Sequence, residues 1–260
     1  MRLIPWKELV AGRERVPEPV RLTIGVFDGL HVGHRKLMEA IIRGPGNAKG
    51  LVVTFARSPA QIISPSGFPG LILSYRQKLS RLSRLGVDVV VVIDFSDEMS
   101  NLSGRAFIGL LKDNLKIEKI VVGEDFRFGR GREAGSGDLK EMLVDTGIEV
   151  QVSQPVLREN AVVSSSRIRK TIQEADFAEA RAMLRADYSV DLDGIAGSSQ
   201  GSRVTVYERA RIEQVLPRPG RYKVWCEHAG RQSAGEVEVR EDSIVLTLDC
   251  PDPATTVIFH

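Results

Sequence analysis

The stretch from Leu22 to Ile42 constrains the fold more than any other, because within it a short apolar run turns sharply and enters a helix. Leu22-Thr23-Ile24-Gly25-Val26-Phe27 has the length and β-branched content of a buried parallel strand, and Asp28-Gly29 brings turn chemistry directly behind it. A helix is expected from about Gly33, since Leu37, Met38, Ile41 and Ile42 recur at helical spacing and give it one face to lay on a sheet. Gly44-Pro45-Gly46 then stops it.

Strand, tight turn and helix in that order build an anion site. The first helical N–H groups have no partner within the helix, and together with the helix dipole they attract negative charge, phosphate above all. A helix covering both His31 and His34 would place them on one side of its first turn, each with a donor for a phosphoryl oxygen. Gly25, Gly29 and Gly33 allow backbone and phosphate to approach closely. Two other readings fit the same residues: histidines with only local hydrogen bonds, and a metal site on an i, i+3 pair. Zinc would need at least a third protein ligand, and the remaining His228, His260, Cys226 and Cys250 all stand near the far end of the chain.

The segment Gly25-Val26-Phe27-Asp28-Gly29-Leu30-His31-Val32-Gly33-His34 resembles the HxGH motif region of bacterial FAD synthetases, the adenylyltransferase half of bifunctional riboflavin kinase/FAD synthetases. The Phe-Asp-Gly lead-in is particular to the flavin branch of that nucleotidyltransferase superfamily. The resemblance implies a Rossmann-like domain that transfers AMP from ATP to FMN, with His31 and His34 catalytic and Gly25, Phe27, Asp28, Gly29 and Gly33 at the nucleotide.

Composition agrees with a globular chain of one large domain and a smaller one: 260 residues at 42% hydrophobic content suffice for proper cores. Thirty-six basic against thirty-four acidic residues give no electrostatic case for a nucleic-acid or membrane partner, and protein partners are not indicated. No run of eighteen apolar residues occurs, and Met1 to Trp6 lacks the apolar core and cleavage site of a signal peptide, so the cytoplasm is the expected compartment. Two cysteines could form one disulfide, but a reduced compartment is the simpler reading.

Along the chain, apolar runs at Leu51–Phe55, Val87–Ile93, Lys119–Val122 and Ile148–Val152 alternate with helical patterns at 74–85, 104–115 and 138–145. Such alternation predicts an α/β fold with a parallel sheet covered by helices on both faces. The proline- and serine-rich segment Arg57 to Gly70 is expected as a long loop. Here the FAD synthetase pattern Thr-Phe-x-Pro-His-Pro is reduced to Thr54, Phe55 and Pro59, and Phe55 is left either as a flavin contact or as a core aromatic at a strand end.

After Val122 comes Gly123-Glu124-Asp125-Phe126-Arg127-Phe128-Gly129, where ligands of such sheets bind. It resembles the family's Gly-x-Asp/Asn-Phe-x-Phe-Gly segment, which implies that Gly123 and Asp125 serve the nucleotide or its magnesium and that Phe128 meets the isoalloxazine ring. Arg130 to Gly137 reads as a mobile loop. Val163-Ser164-Ser165-Ser166-Arg167-Ile168-Arg169 opens a helix, where hydroxyls cap or donate to phosphate and arginines offer forked donors. It resembles the family's Ile-Ser-Ser-Thr-x-Ile-Arg motif, which implies that Ser165, Ser166, Arg167 and Arg169 hold the departing pyrophosphate, Arg167 as a catalytic group. Magnesium is expected mainly on the phosphates, with no protein metal ligand assigned.

From Val190 the pattern changes to turn-rich sequence with alternating runs near 204–207, 222–225, 235–239 and 244–248, which predicts a small antiparallel β domain. In bifunctional relatives this place holds a riboflavin kinase barrel with a Pro-Thr-Ala-Asn motif. That motif is absent here, so the expectation is an adenylyltransferase domain over 1–186 and a reduced riboflavin-kinase-like barrel over 187–260, without kinase activity. Alternatives are adenylylation of another phosphorylated cofactor precursor, such as pantetheine phosphate or nicotinamide mononucleotide, and a flavin- or nucleotide-binding regulator without turnover.

Overall fold

The computed structural model describes the chain apart from residues 45, 95–96, 202, 229 and 249–253, so Pro45 of the expected helix stop and Cys250 lie outside the described residues. The chain divides into two compact units. The first comprises Met1–Phe27, Gly33–Phe68 and Leu79–Leu157, and the second Asp28–Val32, Pro69–Lys78 and Arg158–His260.

The first unit carries a six-stranded, all-parallel sheet of β1 (Arg2–Pro5), β2 (Val16–Ile24), β3 (Lys49–Phe55), β4 (Val89–Ile93), β5 (Leu115–Gly123) and β6 (Glu149–Ser153), in the order β1-β4-β3-β2-β5-β6. This is the expected Rossmann-like sheet, with one further strand, β1, along its edge. β2 begins six residues before the expected Leu22 and ends at Ile24 rather than Phe27. Pro17 and Pro19 cannot donate to a ladder, and the pairing of β2 with β5 shifts register twice between Val16 and Arg21 to accommodate them. Val20, Leu22, Ile24, Leu51, Val53, Val91, Ile120 and Val122 form the centre of the core with Phe107, Ile108 and Leu111 of the helix Gly104–Asn114.

Two segments expected as loops are ordered. Residues 57–68 include the helix Pro59–Ile63 and a 3-10 turn at Pro65–Gly67. Arg130 to Gly137, expected as mobile, contains a 3-10 turn and a strand that pairs Ala134–Gly135 with Arg127–Phe128, and the Gly135 N–H donates to Asp138 Oδ2 at 2.7 Å as the helix Ser136–Leu143 begins.

The second unit holds a seven-stranded antiparallel sheet, in the order Tyr188–Asp191, Thr256–Phe259, Gly220–His228, Arg231–Val239, Ser243–Leu248, Val204–Glu208, Ser198–Gln200. Its core joins Tyr188, Phe259, Val224 and Leu246 to Ile168, Ile172, Met183 and Leu184 from the helices Ser165–Gln173 and Phe177–Leu184. Among the described residues no helix is long and apolar enough to cross a membrane.

Candidate active site

In the first unit the chain runs from β2 outward through β3 to β4 and then returns to the other side of β2 as β5. The reversal makes the carboxyl ends of β2 and β5 a topological switch point, where open α/β sheets bind ligands. Gly25–Phe27 leaves the sheet after β2 and Glu124–Phe128 after β5, and β3, which pairs with β2, ends at Thr54–Phe55.

The exit from β2 is held by backbone and hydroxyl alike. Gly25 N–H donates to Val53 O at 3.0 Å and Thr54 Oγ1 donates to Val26 O at 3.2 Å. Phe27 then takes a left-handed backbone (φ 53°), uncommon for a bulky residue, and folds its ring over Gly25, where any Cβ would sit 2.9 Å from Phe27 Cζ. The edge of the same ring packs against His34, with centroids 5.3 Å apart at 87°. Phe27 is buried and packs against the imidazole of His34. The helix starts at Val32, one residue before the expected Gly33: His34 lies in its first turn and His31 just before it, so the helix does not cover both histidines.

The exit from β5 turns at once, with Phe126 N–H donating to Gly123 O at 3.2 Å and Asp125 exposed. Phe126 and Phe128 stack at 5.1 Å and 14°. Phe128 is only 7% exposed and joins the core beside Phe107, whereas Phe126 is half-buried. Gly129 (φ 79°) was not singled out from the sequence, yet its Cβ would lie 2.6 Å from Gly104 N, so the Phe128 segment and that helix can touch only through glycine. Phe55 is half-buried against the first core.

In the second unit Asp28 is an anchor. Its carboxylate accepts from Ile72 N–H (2.9 and 3.0 Å), Leu73 N–H (3.1 Å) and Arg169 Nη2 (2.6 Å), while its carbonyl accepts from Ser165 Oγ at 2.8 Å. Arg169 also donates from Nε to Gly70 O at 2.8 Å. Asp28, Ser165 and Arg169 are thus brought together as the sequence suggested, but bonded to one another. Gly29 (φ 92°) and Leu30 (φ 44°) complete a strained turn that ends at His31. His31 is buried, which pushes its pKa down to about 4 and keeps the imidazole neutral near pH 7. Burial also pushes buried Lys78 down to about 8, against the pull of the Asp28 carboxylate; nothing in the sequence reading marked it.

Arg167 donates from Nη1 to Arg158 O (2.9 Å) and Ala161 O (3.0 Å) and from Nη2 to Glu179 Oε1 (2.9 Å), so the expected phosphate ligand holds a protein carboxylate. Ser164, not Ser165, caps the helix, accepting from Arg167 N–H at 3.3 Å, and Ser166 is exposed. Among the described residues no three His, Cys, Asp or Glu side chains group as a metal site.

A six-stranded parallel sheet with helices, whose strand order reverses between β2 and β5, belongs to the Rossmann-like, nucleotidyltransferase-like class. The FAD synthetase profile matches residues 13–167, more than half of the chain, and the chain belongs to the FAD synthetase family. It is 31% identical over 194 residues to a bifunctional riboflavin kinase/FMN adenylyltransferase of Buchnera aphidicola, covering 74% of this chain and 62% of that protein. To the protein so named from Escherichia coli K12 it is 30% identical over 210 residues, 78% of this chain and 66% of the relative. The chain thus spans less than two thirds of the length of either. In fold it is similar to a crystal structure titled macrolide-efflux protein from Streptococcus pneumoniae, with TM-score 0.82 and 24% identity over 100% of this chain and 89% of that one.

Proposed function

We propose that the chain is an FMN adenylyltransferase that makes FAD and pyrophosphate from FMN and MgATP, and that it lacks riboflavin kinase activity. The observation that carries this reading is the His31-Val32-Gly33-His34 turn following the switch-point strand β2, inside the region matched by the FAD synthetase profile. An FMN phosphate oxygen attacks the α-phosphorus of ATP in line; the new P–O–P bond forms as the bond to the β-phosphate breaks and pyrophosphate leaves with its electron pair. The nucleophile is already anionic, so the protein supplies position and charge stabilisation.

We assign His34, held by Phe27, to the charge developing on the α-phosphate. Neutral His31 acts as a hydrogen-bond donor to phosphate rather than as a cation. Ser166 and Arg167 receive the leaving phosphates, Arg167 by exchanging the Glu179 carboxylate for a phosphate oxygen, and Arg169 positions. The flavin ring is assigned to Phe126 and Phe55, and Asp125 to the nucleotide or to water on the magnesium of MgATP. In this reading transfer belongs to residues 1–186, and 187–260 carry no kinase chemistry, since the Pro-Thr-Ala-Asn sequence is absent. Purified protein given MgATP with either FMN or riboflavin, and followed by chromatography, tests both parts: FAD from FMN and no FMN from riboflavin is expected. No product from either, or FMN from riboflavin, overturns it.

A further inference from the structure

We infer that Gln214, which follows the histidine turn by some 180 residues, is a positioning residue for that turn, so that the chain beyond residue 186 supports adenylyl transfer. The inference rests on the adenylyltransferase reading above. Gln214 is 5% exposed, and its side-chain amide donates to Ser189 O (2.9 Å), Ile72 O (3.0 Å) and Gln77 Oε1 (3.1 Å), while its oxygen accepts from Asp191 N–H (2.7 Å). Beside it the backbone pairs with Leu71: Leu71 N–H donates to Glu213 O and Val215 N–H to Leu71 O, both at 2.8 Å. That approach requires Gly70 (φ 103°), whose Cβ would otherwise meet Val215 N at 2.6 Å.

The residue held at its carbonyl by Gln214 is held at its N–H by Asp28. Ile72 therefore links the two, and Asp28 opens the left-handed turn of Gly29 and Leu30 that leads to His31. A turn with left-handed residues keeps that conformation only where its surroundings over-determine it. Gln214 is one of those surroundings, and it enters from the part of the chain that carries no transfer motif.

The test is Gln214→Leu, close in shape and without hydrogen bonds, beside Gly70→Ala, which opens the same junction by a different route. Two readouts are taken well below the melting temperature: kcat and KM for FMN and ATP, and hydrogen exchange over residues 28–32 and 69–74. Both variants are expected to lose roughly tenfold or more in kcat, with smaller changes in KM, and to exchange faster in both segments, since small displacements of catalytic groups cost about that much. A lower melting temperature with unchanged kcat and unchanged exchange makes Gln214 an ordinary core residue and overturns the inference. If the wild type makes no FAD, the adenylyltransferase reading fails by itself, and the exchange data still decide whether Gln214 holds the turn.

Discussion

The buried pair of Asp28 and Arg169 lends itself to a quantitative test. Their side chains are 5% and 13% exposed and 2.6 Å apart, and Lys78 adds a second positive charge near Asp28. Removing one partner of a buried pair leaves an uncompensated charge and costs about 3–5 kcal/mol. Asp28→Asn keeps an oxygen for the Ile72 and Leu73 N–H groups but deprives both Arg169 and Lys78 of its negative charge, so it falls at the upper end of that range. Arg169→Met leaves Asp28 with Lys78 and falls at the lower end. The double variant buries no unpaired carboxylate and costs less than the sum, with a coupling of about 1–3 kcal/mol. Urea unfolding measures all three against the parent. The chain has two tryptophans, Trp6 in the first unit and Trp225 in the second, so a Trp6→Phe background makes fluorescence report the unit that holds the pair. Single losses below about 1 kcal/mol with coupling below about 0.5 kcal/mol would refute the anchoring role of Asp28.

Four further outcomes are expected. The folded-state pKa of His31, about 4, lies below its ordinary value of 6.5, so the unfolded chain takes up the proton first as pH falls. Stability present above pH 6.5 therefore drops by about 3 kcal/mol by pH 4, and His31→Gln removes that share of the acid slope in urea titrations. Lys78, at about 8 against 10.5, sheds its proton in the folded chain first, so relative to Lys78→Met the wild type gains stability, by about 3 kcal/mol, as pH rises through that window. Phe126→Ala is expected to raise KM for FMN with little change in melting, whereas Phe128→Ala loses about 3–5 kcal/mol of stability in denaturation; the reverse pattern would return the flavin contact to Phe128. Glu179→Gln weakens the carboxylate that competes for Arg167, so steady-state assays should show a KM for ATP several-fold lower; an unchanged KM removes Arg167 from the phosphate site.

The strand and helix alternation was legible because apolar periodicity is a local signal, and it located β2 to β6 and the longer helices Val32–Ile42, Tyr75–Arg84, Gly104–Asn114 and Ser136–Leu143, but not the short helix Pro59–Ile63. β1 was not, since Ile4 is its one buried residue and an edge strand of four residues has no periodicity to show. The first half of β2 was hidden for a different reason: Pro17 and Pro19 argue against a central strand, and only the register shifts against β5 reconcile them with one. Phe27 and Asp28 illustrate the limit for the site itself. Both stand in the motif and both read as nucleotide contacts, yet one is wedged between Gly25 and His34 and the other is filled by Ile72, Leu73 and Arg169. Asp28 lies 44 residues from Ile72 and 141 from Arg169, separations over which no local pattern carries information. Residues that shape a strained turn and residues proposed to meet its ligand sit side by side in one short motif, and only their long-range partners tell them apart. His34, half-buried beside Phe27, and His31, buried and neutral just before the first helical turn, are the proposed phosphate ligands because the Phe27 ring and the Asp28 carboxylate are already engaged within the protein.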